Sequence, residues 1–129
     1  AKAEANEQVA QLLENNHPDW ALTVLFYAAM HWVDAVLDGL DGNAVHPQRH
    51  TQRRAEIARR PQLAVIDRQY RTLQNISVGA RYDCELFYPA DVAYARQTSF
   101  ELGRLHLILQ QPTLCASSFR PNPPASAWL

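Results

Sequence analysis

Apolar side chains recur at steps of three and four residues through most of this chain, and that spacing predicts helices. The densest run lies between residues 18 and 37, where apolar positions cover well over half of the helix circumference, as in a buried central helix. Pro18 suits its first turn, Asp19 is favourable near its positive end, and a turn-rich segment over residues 38–43 is predicted to end it. Its apolar positions are Trp20, Val24, Leu25, Ala28, Ala29, Trp32, Val33, Val36 and Leu37.

A shorter helix is predicted ahead of this one, over about residues 3–15. Val9, Leu12 and Leu13 share one of its faces, so we expect that face to pack against the core.

A third helix is predicted between two prolines. Pro47 can occupy its first turn with His46 as the N-cap, and Pro61 ends or kinks it. The segment has almost no apolar face, so we expect most of it to face solvent or a partner. Its apolar anchors are Ala55, Ile57 and Ala58.

Two further helices are predicted, over about residues 62–80 and from Pro89 to near Gln110, each with a clear apolar stripe. No segment reads as a strand. The expected fold class is therefore all-α, an up-and-down bundle of about four to five helices. The two stripes are Leu63, Ile66, Tyr70, Leu73, Ser77 and Ala80, and Val92, Ala95, Ser99, Leu102, His106 and Leu109.

The length of 129 residues and the hydrophobic content of 47% suit one domain with a core of its own. We expect that domain over residues 1–110. Residues 111–129 hold four of the eight prolines and no periodicity, so they are predicted to be a proline-rich C-terminal tail.

The net charge of −1 hides an uneven distribution of charge. Through Gly42 the chain has one lysine and seven carboxylates, whereas residues 43–81 have eight arginines and two carboxylates. The basic residues are densest between His46 and Arg60, so an anionic partner suits this part of the chain.

Two cysteines, Cys84 and Cys115, make neither a disulfide framework nor a zinc motif. The N-terminus lacks an apolar leader, and polar residues interrupt the long apolar run, so neither a secretory signal nor a membrane span is expected. A cytoplasmic protein is the resulting expectation.

A polar stripe lies on the otherwise apolar central helix, with Tyr27, His31, Asp34 and Asp38 at steps of four, three and four. Burying such groups is costly unless they are paired. His31 and Asp34 either belong to a site, where the carboxylate orients the imidazole, or form a satisfied hydrogen bond of the core or an exposed stripe.

His46 and His50 lie one helical turn apart, and Arg53 and Arg54 follow on nearly the same face. Two imidazoles and two guanidiniums can converge on an anion at the start of a helix. Such a set can also cleave RNA without metal, because histidine transfers protons near neutral pH and arginine stabilises charge on phosphate. A solvated basic helix is the alternative.

A metal site is a second interpretation of the same histidines. His31, Asp34, His46 and His50 offer nitrogen and oxygen ligands that suit zinc or iron. The neighbouring arginines argue against it, because a cationic cluster repels a divalent ion. We therefore expect no metal and no other cofactor.

A third group of polar residues lies near the end of the fourth predicted helix. Ser77 and Arg81 are one turn apart, so a hydroxyl and a guanidinium can face one ligand, with Tyr82 beside them. Arg81 as an ion-pair partner of Asp34 or Asp83 is the structural alternative.

Taken together, these positions resemble those of small bacterial HEPN-type helical proteins, over about residues 18–110. The resemblance implies a helical bundle, commonly dimeric, that binds RNA or nucleotides and in many members is a metal-independent ribonuclease of defence or toxin systems. The residues that carry it are Tyr27, Ala28, Ala29, His31, Asp34, Ala35, His46, Pro47, His50, Arg53, Tyr70, Leu73, Ser77, Ala80, Arg81 and Tyr82.

The chain departs from the ribonuclease signature of that family, an arginine followed about four to six residues later by a histidine. Arg96 precedes His106 by ten positions and Arg104 precedes it by two. Either the site has moved to the His46–Arg53 segment and Arg81, or this member only binds RNA, a nucleotide or a partner protein.

The sequence therefore predicts a HEPN-like protein that binds RNA or a nucleotide through a His/Arg cluster, with catalysis left open. The alternatives are a non-catalytic partner that acts through helix–helix dimerisation or a cognate protein, and a metal-dependent hydrolase using His31, Asp34, His46 and His50. The candidate catalytic residues are His50, Arg53 and Arg81; the candidate substrate-binding residues are His31, Asp34, His46, Arg54, Ser77 and Tyr82.

Overall fold

A computed structural model describes residues 2–41, 47 and 49–109, and all of its regular structure over these ranges is helical. This confirms the predicted all-α bundle of four to five helices. The predicted proline-rich tail and His46 lie outside the described residues. The helices are α1 (Lys2–Leu13), α2 (Pro18–Asp41), α3 (His50–Ala58), α4 (Ala64–Tyr82) and α5 (Pro89–Leu109), with a short 3-10 helix (Pro61–Leu63) ahead of α4.

Helix α2 is the centre of the bundle, as the sequence predicts. It packs against α1, α4 and α5, and its side chains form about half of the described core. Trp20 is the exception, because its position in the first turn leaves it 64% exposed. The fully buried apolar side chains of α2 include Ala21, Leu22, Leu25, Phe26, Ala29 and Val33.

Helix α2 is longer than predicted. The segment expected to be a turn from residue 38 is helical through Asp41. An isolated glycine such as Gly39 costs a helix only about 1 kcal/mol, which the packing of the preceding turns offsets.

The face of α1 that meets the core was predicted only in part, because Leu13 packs against the core but Val9 and Leu12 do not. Leu12 is 82% exposed and Val9 is exposed too, whereas Ala3, Glu7 and Ala10 are buried. Small side chains let α1 approach α2 closely, and a hydrogen bond to Trp32 satisfies Glu7. Packing distance and a polar contact therefore decide the orientation of this short helix.

Helix α3 starts at His50 with Arg49 as its N-cap, later than the predicted start at Pro47. Its buried side chains are Arg53 and Ile57, whereas the predicted anchors Ala55 and Ala58 are exposed. A buried arginine at the centre of this helix means that α3 docks through a polar contact as much as an apolar one.

The stripes predicted for the last two long helices are confirmed. Every predicted position of the α4 stripe is buried except Ala80, which is partly buried. Every predicted position of the α5 stripe is buried except Leu109, which is also partly buried. The polar members Ser77, Ser99 and His106 are buried as well.

Within the described part of the chain, one helical stretch, Pro18–Leu40, is long and apolar enough to cross a membrane. Of its most apolar 18 residues, 61% is buried inside the protein. The core helix of a soluble protein has the same properties, so this is weak evidence for a membrane span.

Candidate functional site: a histidine and arginine cluster at helices α2, α3 and α4

Arg53 of α3 is anchored to Asp34 of α2 by two parallel hydrogen bonds. Its Nε donates to Asp34 Oδ1 at 2.7 Å and its Nη2 to Asp34 Oδ2 at 3.0 Å. Nη2 also donates to the carbonyl oxygen of Pro47 at 3.2 Å. The Arg53 side chain is only 4% exposed, so this pair joins α3 to the core and fixes where the first turn of α3 lies.

His50 lies one turn before Arg53 and faces two aromatic rings. Its Nδ1 is 3.3 Å from the hydroxyl of Tyr70 on α4, and its ring packs 5.3 Å from that of Phe26 on α2. The rings of Phe26 and Tyr70 are 5.6 Å apart. These contacts hold the partly buried imidazole at the junction of three helices.

Arg81 of α4 lies over the same aromatic group. Its Cζ is 5.8 Å from the centre of the Phe26 ring and 5.1 Å from that of Tyr82, and its Nε donates to the Ser77 carbonyl oxygen at 3.3 Å. No ion pair with Asp34 or Asp83 forms among the described residues. The guanidinium is therefore held by aromatic faces, which leave its charge uncompensated.

The electrostatics of the cluster follow from these contacts. Burial lowers the pKa of His50, and the charges of Arg53 and Arg81 lower it further. Burial opposes the charge on Arg53, but the hydrogen bond and charge of Asp34 outweigh it and raise the Arg53 pKa. Burial also raises the pKa of Tyr70, although the charge of the neighbouring Arg53 acts to lower it. At neutral pH the cluster therefore has a neutral imidazole, a neutral phenol and two guanidinium cations, of which that of Arg53 is paired with the Asp34 carboxylate.

The tautomer of His50 follows from its neighbours. Tyr70 is fully buried, and the charge of Arg53, whose guanidinium can only donate, acts on its hydroxyl. The phenol oxygen then faces a cation, so its own proton is directed to Nδ1 of His50. This arrangement favours the tautomer whose Nε2 carries the proton, which makes His50 a hydrogen-bond donor.

The structure brings together Asp34, His50, Arg53 and Arg81 of the predicted site. Tyr82 is 70% exposed and lies beneath Arg81. Arg54 is partly buried on the next position of α3, and its charge acts on Tyr70.

Other predicted site residues lie apart from this cluster or within the core. His31 is partly exposed on α2, and no hydrogen bond or ion pair joins it to Asp34 among the described residues, because Asp34 binds Arg53 instead. Ser77 is fully buried with its Oγ unpaired, so it lies under the cluster rather than on its surface.

The geometry also bears on the metal interpretation. Both carboxylate oxygens of Asp34 accept hydrogen bonds from Arg53, so this ligand is already engaged. Within the described ranges, no three residues of the types His, Cys, Asp and Glu lie close enough together to hold a metal ion.

Tyr70 is a site residue that its predicted apolar stripe assigns to the core, and Phe26 is a site residue that the sequence did not single out. Both occupy inward positions of their helices, so their spacing indicates only burial. The signal that distinguishes Tyr70 is its hydroxyl, because a fully buried phenol needs a polar partner.

A second buried polar cluster lies on the opposite side of α2 and was not predicted. Glu7 Oε1 accepts hydrogen bonds from Trp32 Nε1 and Ser99 Oγ, each at 2.7 Å. His106 packs 5.4 Å from the Trp32 ring, neither of its nitrogens has a hydrogen-bond partner among the described residues, and burial lowers its pKa. This cluster joins α1, α2 and α5.

Comparison of the chain with protein-family models, curated proteins and solved structures finds no match. The functional argument therefore rests on the geometry of the site.

Proposed function

We propose that this protein is a HEPN-like helical bundle that binds a phosphate-bearing ligand, RNA or a nucleotide, at the cluster of His50, Arg53 and Arg81. The observation that carries the proposal is that the Arg81 guanidinium and the His50 ring both pack on the Phe26 ring, at 5.8 Å and 5.3 Å. The charges of Arg53 and Arg81 add to burial in lowering the pKa of His50. Only one of these cations has a carboxylate partner among the described residues. An anion beside His50 would balance the remaining charge.

Each of the three residues has a different role in this proposal. Arg53 is a positioning residue, because Asp34 already occupies two of its nitrogens. Arg81 is the phosphate contact, because no described carboxylate pairs with it and aromatic rings hold it in place. His50 adds a neutral N–H donor, and contacts with Tyr70 and Phe26 orient its ring.

Binding is better supported than cleavage. General acid–base cleavage of RNA needs one group that accepts a proton and one that donates it. The described cluster offers a single partly exposed titratable group in the neutral range, His50, because the Tyr70 hydroxyl is buried and its pKa is raised. If the protein is nonetheless a ribonuclease, His50 and Arg81 are the residues that touch the reacting phosphate.

The proposal is tested by the binding of a labelled single-stranded RNA, measured by fluorescence anisotropy over a range of salt concentrations. We expect Arg81→Ala to weaken binding at least tenfold and to reduce the salt dependence by about one phosphate contact. Arg71→Ala is the matched control, because it removes an exposed arginine of the same helix that pairs with Asp67. Absence of binding at low salt, or equal effects of the two variants, would contradict the proposal.

Homodimerisation is a second candidate property, favoured by an exposed apolar face on α5. Phe100 and Leu107 are each about half exposed and lie two turns apart on this helix. Three of the arginines in or just after α3 are paired within the chain, Arg53 with Asp34 and both Arg59 and Arg60 with Glu56. We therefore expect any dimer to persist at high salt in a sizing experiment, and dissociation by salt would favour a charge-mediated contact instead.

A further inference from the structure

Arg81 also borders a small cleft at the start of α2. The cleft has a volume of about 190 Å³ and is lined by Asp19, Trp20, Thr23, Ala80 and Arg81. Whole drug-sized ligands occupy pockets of about 300–1,000 Å³, so a cleft of this size suits one part of a larger ligand. Because Arg81 belongs to both, the cleft and the proposed phosphate site adjoin.

The lining of the cleft combines three kinds of group. Trp20 presents an indole that is mostly exposed, although tryptophan is among the side chains that gain most from burial. Asp19, which is exposed, and Arg81 are the two charged residues of the lining, and no ion pair joins the two or links either to another described residue. Thr23 uses its hydroxyl to donate to the Asp19 carbonyl oxygen at 3.0 Å.

A nucleobase matches this combination. Bases stack on exposed aromatic side chains of proteins that bind single strands, with a gain of about 1–3 kcal/mol per base. Protein sites also read an unstacked base through hydrogen bonds to its Watson–Crick edge. A carboxylate can only accept such bonds when it is ionised, so it selects the base that offers adjacent donors.

Guanine is the base that meets this requirement. Its Watson–Crick edge places the N1–H beside the N2 amino group, so one carboxylate can accept from both. Adenine and cytosine each present one amino group beside a ring-nitrogen acceptor, which would face the carboxylate with a repulsive lone pair. Uracil offers one N–H between two carbonyl oxygens.

We propose that this cleft is a guanine site: the base stacks on Trp20, Asp19 accepts hydrogen bonds from N1–H and N2–H, and Arg81 holds the adjoining phosphate beside His50. This inference rests on the proposed function, since it extends the phosphate site by one base. A free guanine nucleotide and a guanine in single-stranded RNA share this chemistry.

The first experiment measures the affinity of the wild-type protein for GMP, IMP and AMP by calorimetry. IMP retains N1–H but lacks the N2 amino group. We expect GMP to bind at least tenfold more tightly than either competitor. Equal affinities that still depend on Arg81 would overturn the guanine site and leave the phosphate site intact. Absence of binding by any nucleotide or RNA would remove both.

Two variants locate the selectivity. Asp19→Asn should bring the affinities for GMP and AMP to within about twofold of each other. The amide NH2 of asparagine is a donor and would face the N1–H and N2–H donors of guanine. Trp20→Ala should weaken GMP and AMP alike, and Tyr94→Ala, which removes an exposed aromatic of α5, is its control. Retention of guanine preference in Asp19→Asn would refute the assignment.

The source of the guanine is distinguished by a parallel titration with oligouridylate and with the same oligomer carrying one guanine. Tight binding of GMP identifies a free nucleotide as a sufficient ligand. Selectivity for the guanine-containing oligomer together with weak, still guanine-selective binding of GMP identifies RNA. Equal binding of the two oligomers, with GMP no tighter than AMP, would overturn the inference.

Discussion

The guanidinium of Arg53 and the carboxylate of Asp34 form a two-bonded pair that holds α3 against α2. The residues are nineteen positions apart in the chain, and the arginine is almost fully buried. A buried charge of this kind depends on its partner, because its hydration has been lost. The pair therefore links the stability of the fold to the position of His50, one turn away on the same helix.

Asp34→Ala should destabilise the protein by about 3 kcal/mol, because it leaves the buried Arg53 charge without a counter-charge. Urea unfolding measures the change. Asp67→Ala is the matched control, since it removes the carboxylate of an exposed pair with Arg71 on α4 and should change the free energy of unfolding by no more than about 0.5 kcal/mol. Similar losses in both variants would show that the Arg53–Asp34 pair is not structural.

Substitution by alanine should affect stability differently at two helical glycines. A Cβ on Gly103 would lie 2.9 Å from Cζ2 of Trp32, a buried side chain that also donates to Glu7. A Cβ on Gly79 would meet mainly the flexible end of Glu85, at 3.0 Å. Alanine gains up to about 1 kcal/mol in helix propensity at either site, whereas overpacking costs about 1–3 kcal/mol.

We therefore expect Gly103→Ala to lower the thermal midpoint and Gly79→Ala to leave it unchanged or raise it. Differential scanning calorimetry of both variants checks this. A Gly103→Ala protein as stable as Gly79→Ala would mean that Trp32 can move without loss.

Stability should fall as the pH drops below about 6.5, the ordinary pKa of histidine. The pKa values of His50 and His106 are both lowered in the folded protein, His106 by burial alone. As the pH falls, these two histidines therefore bind protons in the unfolded chain at pH values where they stay neutral in the folded protein. The stabilisation is complete above the unfolded pKa and is lost as the pH falls from there through the folded values.

The slope that each histidine contributes is at most about 1.4 kcal/mol per pH unit. His106→Leu should reduce the slope between pH 7 and 5 and stabilise the protein at neutral pH, because it removes two buried nitrogens that lack hydrogen bonds. Urea unfolding at several pH values tests this. An unchanged slope would show that His106 gains no proton on unfolding in this range.

The fold could be predicted from the sequence because the apolar stripes of α2, α4 and α5 are long enough to define a face. The buried face of α1 could not be predicted in the same way. Ala3 and Ala10 meet the core by close approach and Glu7 by a hydrogen bond, and hydrophobic spacing shows neither kind of contact. Short helices take their orientation from such tertiary contacts.

The candidate site could be predicted only in part. The one-turn spacing of His50 and Arg53 places them together on any helix, but the pairing of Arg53 with Asp34 depends on how α3 crosses α2. Tyr70 occupies an apolar position of its stripe, so its hydroxyl contact with His50 becomes visible only when three helices are assembled. Trp20 was predicted to be buried, and the structure instead leaves it facing the cleft beside Arg81.

The central claim is that an anionic ligand binds beside His50 and Arg81, and the histidine pKa values measured by NMR test it most directly. In the free protein we expect the pKa of His50 to lie below 6.5, and Arg81→Ala to raise it. Saturation with single-stranded RNA should also raise the pKa of His50 and leave that of His106, on the far side of α2, unchanged. A His50 pKa that does not respond to RNA, or that moves only in parallel with His106, would contradict the claim.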